Sequence, residues 1–157
     1  MRAARGMRRS AASAVFLLVM AGAAGCAATS ASHAAPVAAG ASASPLDVDW
    51  MLVWIDGFSG DPTSLIPLPG LILTTEAHRL VGESSCNRIS GGYTIDVEAG
   101  SLRFGSLRNT RRLCQLANSE ADDAMLRALL ATDGFTLADG RLALLSKGRV
   151  VARLRAK

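Results

Sequence analysis

The first 25 residues of this 157-residue sequence contain no acidic side chain, and the remainder has no net charge. Four arginines precede Cys26, so the rest of the chain carries 13 of the 17 basic residues against all 13 acidic residues. Proteins that bind nucleic acid generally need a local excess of positive charge to replace the counterions around the phosphates. Because the larger part of the chain is neutral, nucleic acid is not an expected partner.

An apolar run long enough to span a membrane is also lacking. Residues 11–25 are uncharged, but this run is shorter than the roughly 18 to 20 residues that a spanning helix needs. It follows a positively charged head at residues 1–10 and is succeeded by small residues, which is typical of a secretory signal peptide. Residues 1–25 are therefore predicted to direct export.

The end of this segment, Ala23-Ala24-Gly25-Cys26, resembles a bacterial lipobox, in which a cysteine after small residues is lipidated and becomes the new N-terminus. The resemblance implies a lipoprotein signal peptide and a membrane contact through lipid on Cys26. Since no Asp follows the cysteine, it further implies an outer-membrane protein of the cell envelope that faces the periplasm. Ordinary cleavage at a neighbouring site stays open, because Ala23 stands where a Leu is usual.

Residues 26–45 are rich in alanine and serine and have no charge and no aromatic side chain. Such a composition predicts a flexible tether, which as a coil spans on the order of 25 Å. We expect it to hold a folded domain clear of the lipid headgroups.

Residues 46–157 are predicted to form one domain that is mainly β (α+β). The predicted strands are residues 50–55, 71–75, 79–83, 92–97 and 101–104, with a proline-containing loop over 57–70. Near the C-terminus, Asp139-Gly140 and Lys147-Gly148 are turn signals that predict a three-stranded meander. The expected architecture is an antiparallel sheet curled toward a barrel and plugged or flanked by one helix.

The helix is predicted to begin at Asn118 or Ser119, either of which can cap free N–H groups, and to run to about Thr132. Asp122 and Asp123 are interpreted as charges of the first turn that favour the positive end of the helix dipole. The apolar stripe expected in the core comprises Ala121, Met125, Ala128 and Leu129.

Motifs for catalysis or metal binding are scarce. There is no GxSxG elbow, no phosphate-binding glycine pattern and no HExxH pair. His78 is the only histidine after residue 45, and we expect it in an exposed loop or at a strand edge rather than as the base for a Cys86 nucleophile. The sequence therefore predicts a protein that is not an enzyme and that binds no cofactor or metal.

Two linked blocks of residues carry a family resemblance. They consist of Cys86, Asn87, Ser90, Gly91 and Tyr93, and of Thr110, Arg111 and Cys114. With these blocks, residues 46–157 resemble the META domain, the family of the bacterial heat-shock-inducible protein HslJ. The resemblance implies a cracked, lipocalin-like barrel, frequent carriage on lipoproteins, and an association with envelope stress or drug tolerance without an agreed catalytic reaction.

Once Cys26 is assigned to lipid, Cys86 and Cys114 are the remaining thiols. In an oxidising envelope, two thiols in a small domain favour a structural disulfide. A redox-active pair and a zinc site with His78 are less favoured alternatives, because neither the C-x-x-C motif nor the usual ligand spacing is present.

Polar residues next to both cysteines are expected to satisfy loop backbone groups where the two segments meet. These are Asn87 and Thr110, which we interpret as architecture rather than as an active site. Arg108, Arg111 and Arg112 form a basic cluster that is either a solvated loop, which we prefer, or a contact for lipid phosphate or an acidic partner.

Three functions remain on this reasoning. The first is a non-enzymatic envelope lipoprotein that supports stress or drug tolerance by contacting another envelope protein. The alternative is a carrier of lipid or of a small apolar molecule in the mouth of the barrel. The third, a hydrolase or redox enzyme, has the least support because no catalytic group of residues is visible.

Overall fold

The computed structural model describes residues 44–157, so the predicted signal peptide, Cys26 and the tether up to residue 43 lie outside the described residues. The strands are Trp50–Ile55 (β1), Gly70–Thr74 (β2), Arg79–Glu83 (β3), Arg88–Asp96 (β4), Ser101–Asn109 (β5), Gly134–Ala138 (β6), Arg141–Ser146 (β7) and Arg149–Ala156 (β8). A helix, Leu116–Ala131 (α1), lies between β5 and β6, and Pro62–Ser64 form a 3-10 turn. Within residues 44–157 we find no helix with both the length and the apolar character needed to cross a membrane.

The eight strands form one antiparallel sheet in the order β5-β4-β3-β2-β1-β8-β7-β6. The first and last strands of the domain are neighbours, with Trp50 opposite Ala156. The sheet curls until its two edges approach each other, where the N–H of Phe135 donates a hydrogen bond to the carbonyl of Gly100 at 2.9 Å. The predicted fold class is confirmed: the domain is mainly β, and its sheet is curled into an incompletely closed barrel.

The meander formed by β6, β7 and β8 follows the predicted turns. Asp139 and Gly140 have φ values of 50° and 67°, and Lys147 and Gly148 have φ values of 50° and 77°. Two consecutive positive φ values are typical of the two-residue turns that match the twist of antiparallel strands. The glycine in the second position of each turn makes this conformation accessible.

Strands β4 and β5 are longer than predicted, because their paired region extends beyond the alternating segment to Ile89 and Asn109. The predicted strand began at Gly92, whereas the observed β4 begins at Arg88 and continues through Gly91 and Gly92. A Cβ atom on Gly91 would lie 2.8 Å from the carbonyl oxygen of Ser106, next to the register shift between Gly91 and Tyr93. Gly91 is therefore required by a close approach of two strands at a bulge.

The predicted start of the helix is wrong. Helix α1 begins at Leu116, and its N-cap Gln115 makes no side-chain capping hydrogen bond. Asn118 instead donates hydrogen bonds from Nδ2 to the carbonyls of Ile66 at 3.0 Å and Ser85 at 2.8 Å. The N–H of Ser119 donates a hydrogen bond to the carbonyl of Gln115 at 2.9 Å, which is the i to i−4 bond of an α-helix that has already begun. The side chain of Asn118, which was predicted to cap the helix, therefore makes tertiary hydrogen bonds instead.

The interior between the helix and the sheet is filled by side chains. The predicted helical stripe of Ala121, Met125, Ala128 and Leu129 is buried. It faces apolar side chains from both halves of the sheet, including Leu52, Leu71, Leu144, Ala152 and Leu154. The cavity that these helix and sheet residues enclose has a volume of about 10 Å³, no more than is needed to hold a single water molecule.

Candidate functional site

The two cysteines of the domain are joined, with their Cα atoms 5.9 Å apart. This disulfide confirms the predicted pairing of Cys86 with Cys114. It links the loop between β3 and β4 to the segment between β5 and α1, which has no regular secondary structure from Thr110 to Gln115. A covalent link is effective here because the segment has no strand partner of its own.

Asn87 connects three parts of the chain beside this disulfide. Its Oδ1 accepts hydrogen bonds from the hydroxyl of Thr110 at 3.0 Å and from the N–H of Arg112 at 2.9 Å. Its Nδ2 donates to Asp122 Oδ2 at 2.9 Å. One buried amide thus holds the cysteine loop, the irregular segment and the helix together.

Asp122 is not the exposed first-turn charge that the sequence suggested. It lies in the second turn of α1, is 6% exposed, and accepts hydrogen bonds from Asn87 and from the hydroxyl of Ser84. Ser84 is fully buried and also accepts the N–H of Asn87 at 3.1 Å. The interpretation of Asp122 as a dipole charge is therefore wrong, because its carboxylate is satisfied inside a polar network.

We call these residues the cysteine lock: Ser84, Cys86, Asn87, Thr110, Cys114 and Asp122. Ser84 was not among the predicted residues, and Asp122 was predicted in a different role. A signal for Asp122 was present, since it precedes Met125 by three positions and Leu129 by seven, which places it on the buried face of the helix. No local pattern identified Ser84.

Ser85, the residue before the disulfide cysteine, has a φ of 81° and is fully buried. This left-handed conformation is uncommon for a residue with a side chain. Its hydroxyl donates to the carbonyl of Asn118 at 3.3 Å, while the carbonyl of Ser85 accepts from Asn118. The strained backbone is thus held by reciprocal contacts with the first turn of α1.

The other motif residues do not join the lock. Tyr93 is buried at the other end of β3, where its hydroxyl donates to the carbonyl of Thr74 at 3.0 Å. Burial raises the pKa of Tyr93, and the charge of Asp47 adds to this effect. The ring centroid of exposed His78 lies 5.8 Å from that of Tyr93. Strand β3 separates His78 from Cys86, and the structure does not bring them together.

Apolar side chains are exposed around the disulfide. The three most exposed large apolar residues among positions 44–157 are Leu113, which is fully exposed, Ile66 at 87% and Leu116 at 76%. Ile66 and Leu113 line a groove of about 610 Å³ together with both cysteines. Leu116 lies two residues beyond Cys114, at the start of α1. Exposed apolar side chains beside a groove are a feature of interaction sites in soluble proteins.

Two exposed arginines, Arg111 and Arg112, directly precede Leu113. The ion pairs found among residues 44–157 join Arg88 to Glu83 and Lys157 to Asp49. Arg111 and Arg112 are therefore not neutralised by a carboxylate of the described domain. We call Ile66, Arg111, Arg112, Leu113 and Leu116 the disulfide rim.

The described residues do not assemble a metal centre. Among positions 44–157, no three His, Cys, Asp or Glu side chains are grouped so that they could hold a metal ion. Both domain cysteines are consumed by the disulfide, so neither provides a thiolate. What this end of the molecule offers is a rigid surface of apolar and cationic side chains.

Two solved structures share this fold. The NMR structure of a protein from Burkholderia xenovorans has a TM-score of 0.57 and 23% sequence identity, over 72% of this chain and 83% of that one. A second NMR structure has the same TM-score and identity, over 73% of this chain and 95% of that one. A crystal structure of a DUF4847 family protein from Bacteroides vulgatus ATCC 8482 is more distant, with a TM-score of 0.43 and 12% identity over 56% of this chain and 57% of that one.

None of the curated proteins compared matches this chain significantly. The sequence model of the META domain, by contrast, matches residues 44–157, which include the whole curled sheet, the helix and the cysteine lock. The chain therefore belongs to the META domain family.

Proposed function

We propose that this protein is a non-enzymatic lipoprotein of the bacterial cell envelope, anchored in the outer membrane and facing the periplasm. In this proposal it supports tolerance of envelope stress or of drugs by contacting another envelope protein. The observation that carries the proposal is the disulfide rim, where the most exposed apolar side chains lie beside two arginines that form no ion pair with a carboxylate of residues 44–157.

The occupant that fits this rim is a protein with an acidic and apolar surface. Leucine and isoleucine side chains gain free energy when they are removed from water. Arginines at the border of such a contact favour an oppositely charged partner and steer its approach. The cysteine lock supports the same role, because a surface whose backbone is already fixed loses less conformational entropy on binding.

The start of the described domain and the cysteine loop lie at opposite ends of β2. Asp47 accepts a hydrogen bond from the N–H of Thr75 at 2.9 Å, so the chain joins the domain beside the end of β2. The other end of β2 pairs Gly70 with Glu83, immediately before the cysteine loop. The rim thus lies beside the end of β2 that is farther from Asp47.

The packed interior weighs against the carrier alternative. The helix fills the concave face of the sheet, and the cavity between its apolar stripe and the strands is about 10 Å³. Binding sites for small organic molecules are commonly about 300–1,000 Å³. A lipid held inside the curled sheet would therefore have to displace α1, which includes the buried Asp122 of the lock.

The rim is tested by photo-crosslinking in living cells. A photoreactive amino acid replaces Leu113 in the full chain, and the control replaces Glu98, which is exposed in the turn between β4 and β5. We expect a discrete product with one envelope protein from position 113 but not from position 98. Combined Arg111→Glu and Arg112→Glu substitutions should abolish this product, whereas Arg103→Glu should not.

Three outcomes contradict the proposal. They are crosslinks from position 113 to lipid alone, crosslinks to a second copy of this chain, and equal products from positions 113 and 98. The anchor is tested separately by mass spectrometry of the mature N-terminus, which should start at an acylated Cys26. An unmodified start at another residue would refute the anchor but not the rim.

A further inference from the structure

A second surface lies on the outer face of the meander, away from the helix. Here three arginine side chains border a shallow recess of about 470 Å³. The floor of the recess is built from small side chains of three strands, Val53, Thr136, Ala138 and Ala143. Large groups thus surround small ones, which leaves space for a ligand between the guanidinium groups. We call this feature the arginine recess.

The strand register brings the three cations together. Arg141 in β7 lies directly opposite Arg155 in β8, and Arg153 lies opposite Ala143. Directly opposite residues in an antiparallel pair point to the same face of the sheet, as do residues two apart in one strand. Arg141, Arg153 and Arg155 therefore share the outer face, while Leu142, Ala152 and Leu154 point into the core.

The position of one guanidinium is fixed by an aromatic ring. Arg153 lies over Trp54 with its guanidinium carbon 4.7 Å from the ring centroid. This cation–π contact reduces the freedom of Arg153 without neutralising its charge. Trp54 is half-exposed, whereas Trp50 is buried in the core.

Like charges directly opposite each other destabilise a sheet, so the arrangement calls for a counterion. The ion pairs among residues 44–157 do not involve any of these three arginines. Asp139 lines the recess as its single acidic residue, against three cations. The recess thus carries an excess of positive charge in a domain that is neutral as a whole.

We infer that the arginine recess binds a phosphate group of a small molecule or of a lipid headgroup. Guanidinium groups present paired N–H donors that match phosphate oxygens, and two opposite arginines can hold one phosphate from both sides. A long polyanion is a poorer fit, because these three arginines cover only the recess and the domain has no extended basic surface. The inference does not depend on the disulfide rim or on its partner.

The two tryptophans provide a direct test. The full chain is solubilised in dodecyl maltoside, a detergent without phosphate, and titrated with inorganic phosphate at constant ionic strength, with chloride as the control. We expect a saturable change in tryptophan emission with phosphate, because the ligand competes for Arg153 beside Trp54. The change should be absent in Trp54→Phe, which retains the buried Trp50.

Matched variants locate the site. Combining Arg141→Gln with Arg155→Gln should raise the half-saturation concentration by about tenfold or more, since two charge-assisted contacts are lost. Arg149→Gln removes the same charge from β8 outside the recess and should leave this concentration unchanged within about twofold. Saturation that is equally strong in the double variant, or that is absent up to on the order of 10 mM phosphate, overturns the inference.

Two further arms add independent readouts. If the source is a lipid headgroup, nanodiscs that contain phosphatidylglycerol should produce the emission change without added phosphate; if it is a soluble phosphate compound, they should not.

The Arg155→Gln variant should unfold at the same or a higher temperature, because it removes like-charge repulsion. A lower unfolding temperature would contradict the electrostatic argument on which the inference rests.

Discussion

The interior of the barrel and the disulfide rim use the same residue types in opposite ways. Inside, leucines such as Leu73 and Leu142 are fully buried, and the cavity beneath the helix is about 10 Å³. At the rim, Leu113 and Leu116 are among the most exposed side chains of the described domain. The core is thus well packed without these leucines, which indicates that their exposure is not a by-product of a poorly filled fold.

The two regions also differ in what holds them. The interior is stabilised by apolar burial between the helix and the strands. The segment from Thr110 to Gln115, by contrast, forms neither a helix nor a strand. That segment is held by the disulfide and by the hydrogen bonds that Asn87 accepts. The disulfide and the hydrogen bonds of Asn87 therefore fix the chain at the rim, as hydrophobic packing fixes it in the core.

The largest expected loss of stability comes from the interior. Leu73→Ala should reduce the free energy of unfolding by about 2–5 kcal/mol, because it leaves a cavity at a fully buried site. Denaturant unfolding of the variant measures this loss. The matched Leu113→Ala change at the rim should stay within about 0.5 kcal/mol of the wild type. Equal losses at the two sites would remove the distinction between core and rim.

Breaking the disulfide is expected to have the next largest effect. The combined Cys86→Ser and Cys114→Ser variant should lose about 2–4 kcal/mol, since its unfolded state is no longer restrained by the crosslink. Denaturant unfolding gives the loss, and limited proteolysis should show new cleavage between residues 110 and 115. A variant that resists proteolysis there as well as the wild type does would show that Asn87 alone holds the segment.

Asn87→Ala should cost about 1–3 kcal/mol, because the hydroxyl of Thr110, the N–H of Arg112 and the carboxylate of Asp122 each lose a partner. The loss is measured by denaturant unfolding, with Asn109→Ala at the exposed end of β5 as the control. In a double-mutant cycle, Asn87→Ala and Asp122→Ala should be non-additive. Additive losses would contradict a shared network.

The smallest expected effect concerns pH. It lies at the end of β2 that is opposite the cysteine loop. Hydrogen bonds from the hydroxyl and the N–H of Thr75 lower the pKa of Asp47 below its ordinary value. The lowered pKa implies a stabilising contribution that is present above the ordinary value of about 3.9 and is lost as the pH falls through the lowered folded value. Thr75→Val should raise the midpoint of the Asp47 titration, followed by NMR, and leave the rim unchanged. An unchanged midpoint would show that the hydroxyl contributes nothing.

The sequence predicted those features that local chemistry determines. Alternation and turn residues located β1, β3 and the meander, and the expectation of an oxidising compartment predicted the joining of Cys86 with Cys114. The start of α1 and the role of Asp122 were missed because both depend on contacts with loops distant in sequence. Asn118 is drawn to Ile66 and Ser85, and Asp122 to Ser84 and Asn87.

Exposure of the rim was equally hidden from sequence reasoning. Leu113 and Leu116 lie among polar residues and cysteine, in a stretch without a periodic pattern that would assign them to the core or to the surface. Only the disulfide and the polar lock, which fix the path of the chain, determine that these side chains point to solvent. The arginine recess likewise depends on the register between β7 and β8.

We propose that this META domain acts through its disulfide rim and not through its interior. The most direct measurement compares unfolding stability with survival under envelope stress for one variant, Leu113→Ser combined with Leu116→Ser, in cells that lack the native chain. We predict that its free energy of unfolding stays within about 1 kcal/mol of the wild type, while its protection of the cells is lost. Full protection by an equally stable variant would contradict the account.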